Sequence, residues 1–251
     1  MHTLISLQDN LRAMGIAPAD TVLLHSSMKK IGPVQGGADT VLDALQDYLT
    51  PGLLVLPALN WELVNQRPRV YDVLRTPSIV GILPELFRKR PDVHRSLNPT
   101  HSVCACGADA RDFVQGGDAD GTPLGMHSPW RKLLERNAWI LMAGCDLTSC
   151  TFIHGVEEWC EVPHRLTAPM AFDMVLPDGS RRTIHSRAHE GTPSFSFWKV
   201  QAGLEQAGLL RILPFGDAPT MVLRARDLFC FVAGALSQNP RLFDYEVKEA
   251  E

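Results

Sequence analysis

No apolar run in these 251 residues approaches the ~20 that a helix needs to span a bilayer, so no transmembrane segment is expected. The six cysteines, Cys104, Cys106, Cys145, Cys150, Cys160 and Cys230, form no CxxC pair and have no zinc-finger spacing. That leaves them as small buried hydrophobes, with no call for disulfides. An excess of one charge is missing too: the formal net charge is −4 and basic runs such as Lys29-Lys30 are short. No global field would recruit nucleic acid or an anionic membrane. The opening MHTLISLQDNLRAMG carries polar and acidic residues and reads as an amphipathic helix, not as a secretory signal. There is no low-complexity tract and no internal repeat. A cytoplasmic protein without nucleic-acid or membrane partners is expected.

Hydrophobic residues make up 45% and charged residues 21%, which permits a sizeable core. The length suits one α/β domain over residues 1–251 better than two full-sized domains. Residues 4–14 read as a helix. TVLLHSS, ending at His25-Ser26-Ser27, is a short apolar run between turn formers, the pattern of a buried strand. A Gly/Pro loop leads into a helix at 38–49, and LLVLPAL at 53–59 is a second buried strand. Strand, helix and strand within about 40 residues predict a right-handed βαβ crossover in a parallel sheet. Further expected helices are IVGILPELFRK at 79–89, started by Thr76-Pro77-Ser78; one capped by Thr148 or Ser149 and stopping before Pro163; a helical stretch from Phe195 to Gly208; and a last helix at 227–237. Strands are expected at 101–106, 139–143 and 221–224, and Asp178-Gly179 between 170–176 and 181–186 predicts a β-hairpin.

TSCTFIHGVEEW, residues 148–159, puts His154, Glu157 and Glu158 into an otherwise apolar helix. His154 and Glu157 are three apart and can touch. Three readings are open: a core helix with a satisfied histidine, half of a metal site, or a base held by its orienting carboxylate. The position just after a strand end is where α/β proteins place their ligand crevice, which favours function. A carboxylate accepting from one ring nitrogen leaves the other as a proton acceptor. Zinc would need a third ligand; His185 and His189 have i, i+4 spacing but sit in the tail of the hairpin, so no metal is expected. The loop IGPVQGG places adjacent glycines before a helix start, where backbone N–H groups can approach an anion, although a plain connecting turn would look similar. With His25, Ser26 and Ser27 immediately upstream, a phosphate- or amide-bearing ligand is favoured.

HSSMKKIGPVQGGADTVLDAL, LLVLPALNW, YDVLRTPSIVGILPELF, RSLNPTHSVCACG, TPLGMHSPWRKLL and TSCTFIHGVEE, in that order, resemble the aminoglycoside 3-N-acetyltransferase family over roughly residues 4–243. The resemblance implies a single-domain α/β/α sandwich, unlike GNAT enzymes, with a central, mostly parallel sheet and a β-hairpin. It implies an acyl-CoA-dependent N-acyltransferase with acetyl-CoA as co-substrate and no metal. It also implies that His154 and Glu157 carry the catalytic base, that His25, Ser26, Ser27, Lys29, Val34, Gln35, Gly36 and Gly37 line the pantetheine and phosphate end of CoA, and that Thr148 and Thr151 lie near the acyl group.

The chemistry fits those residue types. An amine attacks a thioester only when neutral, and an imidazole is the side chain suited to taking its proton near neutral pH. A hydroxyl such as Ser27 or Thr151, or a backbone N–H, would serve the developing oxyanion. Asp72, Glu62 and Glu158 are candidates for holding a substrate amine. The family's usual His-Pro step reads Asn98-Pro99 here, with His101 three residues on; Asn98 is counted with the substrate residues. Around His189 to Phe195 the chain has HEGTPSF, with Glu190 as its one acidic residue, where many relatives carry an acidic cluster. Trp130 is expected in the core, and Trp61 and Trp159 either there or in the acceptor pocket. The function expected is acetyl transfer to a primary amine, with an aminoglycoside first. The rivals are a biosynthetic N-acyltransferase using another amine or malonyl-CoA, a zinc-dependent hydrolase, and a non-catalytic CoA-binding protein. A homodimer through residues 223–243 is one option.

Overall fold

The computed structural model describes residues 1–191 and 193–244. In chain order the strands are β1 (Thr21–Ser26), β2 (Leu53–Pro57), β3 (Val70–Asp72), β4 (His94–Arg95), β5 (Val103–Gly107), β6 (Trp139–Ala143), β7 (Met170–Val175), β8 (Arg181–Ser186), β9 (Leu210–Phe215) and β10 (Ala218–Arg224). The helices are α1 (Leu4–Met14), α2 (Met28–Ile31), α3 (Gly37–Tyr48), α4 (Ile82–Phe87), α5 (Ala110–Phe113), α6 (Pro129–Glu135), α7 (Phe152–Trp159), α8 (Gln201–Gln206) and α9 (Ala225–Gln238).

Seven strands form one sheet in the order β4-β5-β2-β1-β6-β10-β9. β1 runs parallel to both β2 and β6, as the crossover through α3 requires. The pairings of β2 with β5, β5 with β4, β6 with β10 and β10 with β9 are antiparallel. The expected mostly parallel sheet is therefore corrected to a mixed one: a parallel centre with antiparallel flanks. The cause is local. β9 and β10 are joined by the two residues Gly216 and Asp217, with Gly216 at φ +60, and so short a link permits only an antiparallel pair. β9 went unread in the sequence because it contains Pro214, which is tolerated on this edge strand, where a missing N–H harms no inner ladder.

Alternation along the central strands creates two cores. Val22 and Leu24 of β1, Leu54 and Leu56 of β2, and Leu141 and Ala143 of β6 face α1, α3 and α4. Leu23, Leu53, Val55, Ile140 and Met142 face the opposite way, against α6, α7 and α9. Strands buried on both faces read as continuous apolar runs, which is why they stood out in the sequence. Trp130 lies in the second core, as expected. The hairpin of β7 and β8 forms around Asp178-Gly179, and β3 adds parallel to β7 over a third core of Leu63, Tyr71, Val73, Phe172 and Met174.

Two helix starts differ from expectation. The helix expected from residue 79 begins at Ile82, because the N–H of Ile79 is taken by the carbonyl of Leu59 at 3.0 Å. α7 is capped by neither Thr148 nor Ser149: Thr151 holds its N-cap position without a side-chain cap bond, and just ahead Asp146 caps a short 3-10 turn over Leu147–Ser149, its carboxylate accepting from the Thr148 N–H at 3.0 Å.

Candidate active site

A cavity of about 680 Å³ opens at the carboxyl ends of β1 and β6. That volume suits a small molecule, and the position is the crevice of open α/β sheets. β1 contributes His25 and Ser26, the turn after β6 contributes Cys145, Thr148 and Ser149, α7 and its lead-in contribute Cys150, Thr151 and His154, and Trp61 and Phe195 stand at the wall with large exposed faces.

α7 begins where the Asp146-capped turn releases the chain, and it presents His154 to this cavity. One turn on, Glu157 sits directly behind it: Nδ1 of His154 is 3.3 Å from Oε2 of Glu157, a long contact. Glu157 is 1% exposed, and its other oxygen accepts from Nε of Arg165 at 2.5 Å. Arg165 in turn donates from Nη2 to Asp244 at 2.8 Å. The carboxylate is thus pinned by a guanidinium on one side and turned toward the imidazole on the other. With Nδ1–H directed at Glu157, Nε2 is the ring nitrogen left to accept a proton.

Two further imidazoles share the cavity. His189 stacks on His154 with ring centroids 4.2 Å apart, and His101 meets His189 edge-on at 4.6 Å. Nε2 of His189 lies 2.9 Å from Oε1 of Glu158, its Nδ1 lies 3.2 Å from Nε2 of His101, and Nδ1 of His101 lies 2.9 Å from Oγ1 of Thr100. Burial lowers His101 to about 3, helped by the neighbouring His154, and burial likewise holds His189 well below the ordinary value. Burial also raises Glu158 to about 7. At the end of β1, His25 is lowered to about 3 by burial, and its Nε2 finds no hydrogen-bond partner among the described residues. Burial pushes the thiols of Cys145 and Cys150 up to about 12, so neither offers a thiolate near neutral pH.

Of the residues singled out in the sequence, His25, Ser26, Thr148, Thr151 and His154 meet at the cavity, with Glu157 directly behind. Ser27 holds the N-cap position of α2 without a side-chain cap bond, Lys29 is exposed on that helix, and Val34, Gln35 and Gly36 form the loop into α3, whose first residue is Gly37; none of these is among the described lining residues. Asn98, expected at the substrate, is instead engaged inside the fold. Its amide donates to the carbonyls of Gly117 and Thr122 at 3.1 Å each, and its Oδ1 accepts from the N–H of His101 at 2.8 Å. Asp72 caps the turn at Leu74 and Arg75, Glu62 is exposed beside Trp61, and Glu158 lies behind His189. Trp159 donates to the carbonyl of Leu124 at 2.7 Å and packs on the second core. Sequence reasoning missed Thr100, His101 and His189 as site residues. The signal available was His101 itself, three residues after Asn98 in the same short segment. Among the described residues no group of three or more His, Cys, Asp or Glu side chains has an arrangement able to hold a metal ion, and His185 is exposed on β8 while His189 turns to His101.

An imidazole backed by a buried carboxylate, facing a cavity at the carboxyl end of a mixed α/β sheet, has the form of an enzyme's candidate active site. The chain belongs to the aminoglycoside 3-N-acetyltransferase family, whose model matches residues 23–237. Among curated relatives, aminoglycoside N(3)-acetyltransferase III of Serratia marcescens is 24% identical over 95% of this chain and 98% of its own length. The SPbeta prophage-derived aminoglycoside N(3')-acetyltransferase-like protein YokD of Bacillus subtilis is 32% identical over 61% of this chain and 63% of its own. Among solved structures, AAC-IIIb in binary complex with CoASH superposes with a TM-score of 0.83 at 25% identity, covering 94% of this chain and 96% of that one. The apoenzyme of aminoglycoside acetyltransferase AAC(3)-IVa has the same fold, with a TM-score of 0.85 at 23% identity over 98% of this chain and 93% of that one. No described helix is long and apolar enough to cross a membrane.

Proposed function

We propose that residues 1–251 act as one domain catalysing acetyl transfer from acetyl-CoA to a primary amine, with an aminoglycoside as the first candidate acceptor. The observation that carries this reading is the line Arg165, Glu157, His154 ending in the cavity. Nε2 of His154 takes the proton of the attacking amine, and Glu157 orients the ring and offsets its developing charge. The unpartnered Nε2 of His25 suits a polar group of the pantetheine arm, with Ser26 beside it. Ser27, Lys29 and the Val34, Gln35, Gly36, Gly37 loop at the amino end of α3 then serve the phosphate end. Thr148 and Thr151 face the acyl group, and the Thr151 hydroxyl is the candidate donor to the oxyanion. Transfer is direct within a ternary complex, because the two cavity thiols are held protonated. Names of relatives that are aminoglycoside acetyltransferases support the acceptor class.

A second reading, a biosynthetic acyltransferase acting on a less cationic amine or using another acyl-CoA such as malonyl-CoA, is favoured by one feature. The described lining residues include four imidazoles but no aspartate or glutamate, whereas each buried ammonium of a polycation needs a partner. Acetyl- and malonyl-CoA, each assayed against aminoglycosides and simple amines, decide between the two. His154→Ala is expected to lose about 10²–10⁴-fold in kcat while still binding CoA. Full activity in that variant would refute the mechanism.

A further inference from the structure

Acylating an ammonium removes two protons from nitrogen. The first leaves before attack and frees the lone pair. The second leaves as the C–N bond forms and the C–S bond breaks, and through His154 it ends on the departing thiolate. The products are an amide, a thiol and one proton, and that proton must leave the cavity.

The structure holds a second route for it. Thr100 lines the cavity, and its hydroxyl begins a continuous hydrogen-bonded series: Oγ1 to Nδ1 of His101 at 2.9 Å, Nε2 of His101 to Nδ1 of His189 at 3.2 Å, and Nε2 of His189 to Oε1 of Glu158 at 2.9 Å. Glu158 then lines a separate hollow of about 350 Å³ on the far side, together with Glu161, His164, Arg165 and Arg187. Both nitrogens of both rings are engaged within the series, so neither ring can keep a proton without handing one on. We infer that Thr100, His101, His189 and Glu158 form a proton outlet that carries the first proton of the acceptor ammonium from the cavity to this second hollow and so to solvent. The inference rests on the N-acyltransferase reading above.

The protons balance. With Glu158 ionised, each N–H and O–H in the series points toward it. When the ammonium protonates the Thr100 oxygen, the hydroxyl proton moves to Nδ1 of His101, the Nε2 proton of His101 to Nδ1 of His189, and the Nε2 proton of His189 to Glu158. The Thr100 hydroxyl then turns to Oδ1 of Asn98, 3.3 Å away, so the second state is also hydrogen-bonded. Burial keeps both rings neutral, which makes them carriers and leaves the carboxyl as the resting place. That carboxyl is raised to about 7 by burial; hydrogen bonds from Thr122 and the Leu124 N–H oppose the rise, and Asp120 and Glu157 add to it. Arg165 and Arg187 line the same hollow, with guanidinium nitrogens bonded to Glu157 and Asp244 and to the Thr167 carbonyl respectively.

Glu158→Gln keeps an acceptor for the Leu124 N–H but cannot take a proton, and Thr100→Val removes the entrance with little change of shape. The measurement is the ratio of wild-type to variant kcat for one acceptor amine, from neutral pH to above that amine's own pKa. Each variant is expected to be about 10²-fold slower at neutral pH, the low end of the range for a single proton-transfer group, and the gap should close to less than about twofold once the amine arrives as free base. A defect of equal size at every pH would mean a structural role, and no defect at neutral pH would mean no outlet; either overturns the proposal. A wild-type protein that acetylates no amine while binding CoA would instead overturn the function on which it rests.

Discussion

The rings of His154 and His189 lie face to face, their centroids 4.2 Å apart and their planes inclined by 19°. Phe197 meets His154 edge-on at 4.9 Å, and Glu157 reaches its Nδ1. The imidazole on α7 is therefore held on its face, its edge and one nitrogen, which leaves little freedom beyond the direction of Nε2. Such restraint is what a proton acceptor needs, because proton transfer requires a fixed donor and acceptor geometry.

Arg165 anchors the carboxylate behind that ring, so its removal should strike both stability and turnover. Arg165→Met leaves the Glu157 carboxyl buried with a single long contact, and is expected to cost about 3 kcal/mol in urea unfolding, with a fall in kcat. Arg165→Lys keeps the charge but not the fork that reaches both Glu157 and Asp244, so it should recover only part of the loss.

Gly155 lies between His154 and Glu157 in sequence, on the side of α7 that meets Trp159. A Cβ there would stand 2.8 Å from Cζ2 and 2.9 Å from Cη2 of that ring, whose indole N–H is already tied to the Leu124 carbonyl. Gly155→Ala should destabilise the fold by about 1–3 kcal/mol and lower kcat, because relief of the clash must move the helix that carries the site. An unchanged unfolding midpoint would show that the ring yields freely.

Stability should depend on pH with two opposing contributions. His25, His101 and His189 stay neutral when folded but take up protons in the unfolded chain below about 6.5, so stability is lost as pH falls from there toward the depressed folded values. Glu158 acts the other way. Its folded carboxyl keeps a proton up to about 7 whereas the unfolded one releases it near 4.5, so it withdraws stability as pH rises between those values. Glu158→Gln should therefore gain in Tm relative to wild type as pH is raised from about 5 to 8, and His25→Gln should flatten the acid limb by about one proton. Thermal melts across that range test both signs.

Incubation with acetyl-CoA alone should leave no acetyl group on the protein by intact mass, because Cys145 and Cys150 lack a thiolate to acylate. Cys145→Ser is expected to retain kcat within about twofold. A stable adduct on either cysteine would replace direct transfer by a covalent route.

The strands of the sheet's centre were legible because each is buried on both faces, so Val22, Leu23 and Leu24 of β1, and β2 and β6 along their length, read as apolar runs that need no neighbour to explain them. His154 and Glu157 were legible because three residues of one helix fix their proximity whatever the rest of the chain does. The direction of the flanking strands was not, since an apolar run looks the same in a parallel and an antiparallel pair, and the proline in β9 disguised an edge strand. Asn98 was misplaced because its chemistry suits a ligand as well as the backbone carbonyls that it actually binds.

Local spacing alone thus determined the helix that carries the imidazole and carboxylate, the apolar strands of the sheet's centre and the glycine loop into α3, because each depends on residues within a few turns of one another. Only the tertiary structure decided that Thr100, His101, His189 and Glu158 would be joined, and that Arg165 would close on Glu157. Those contacts cross from β5's lead-in to α7 and to the segment after β8, and the energy that selects them is the burial of polar groups that must find partners once water is excluded.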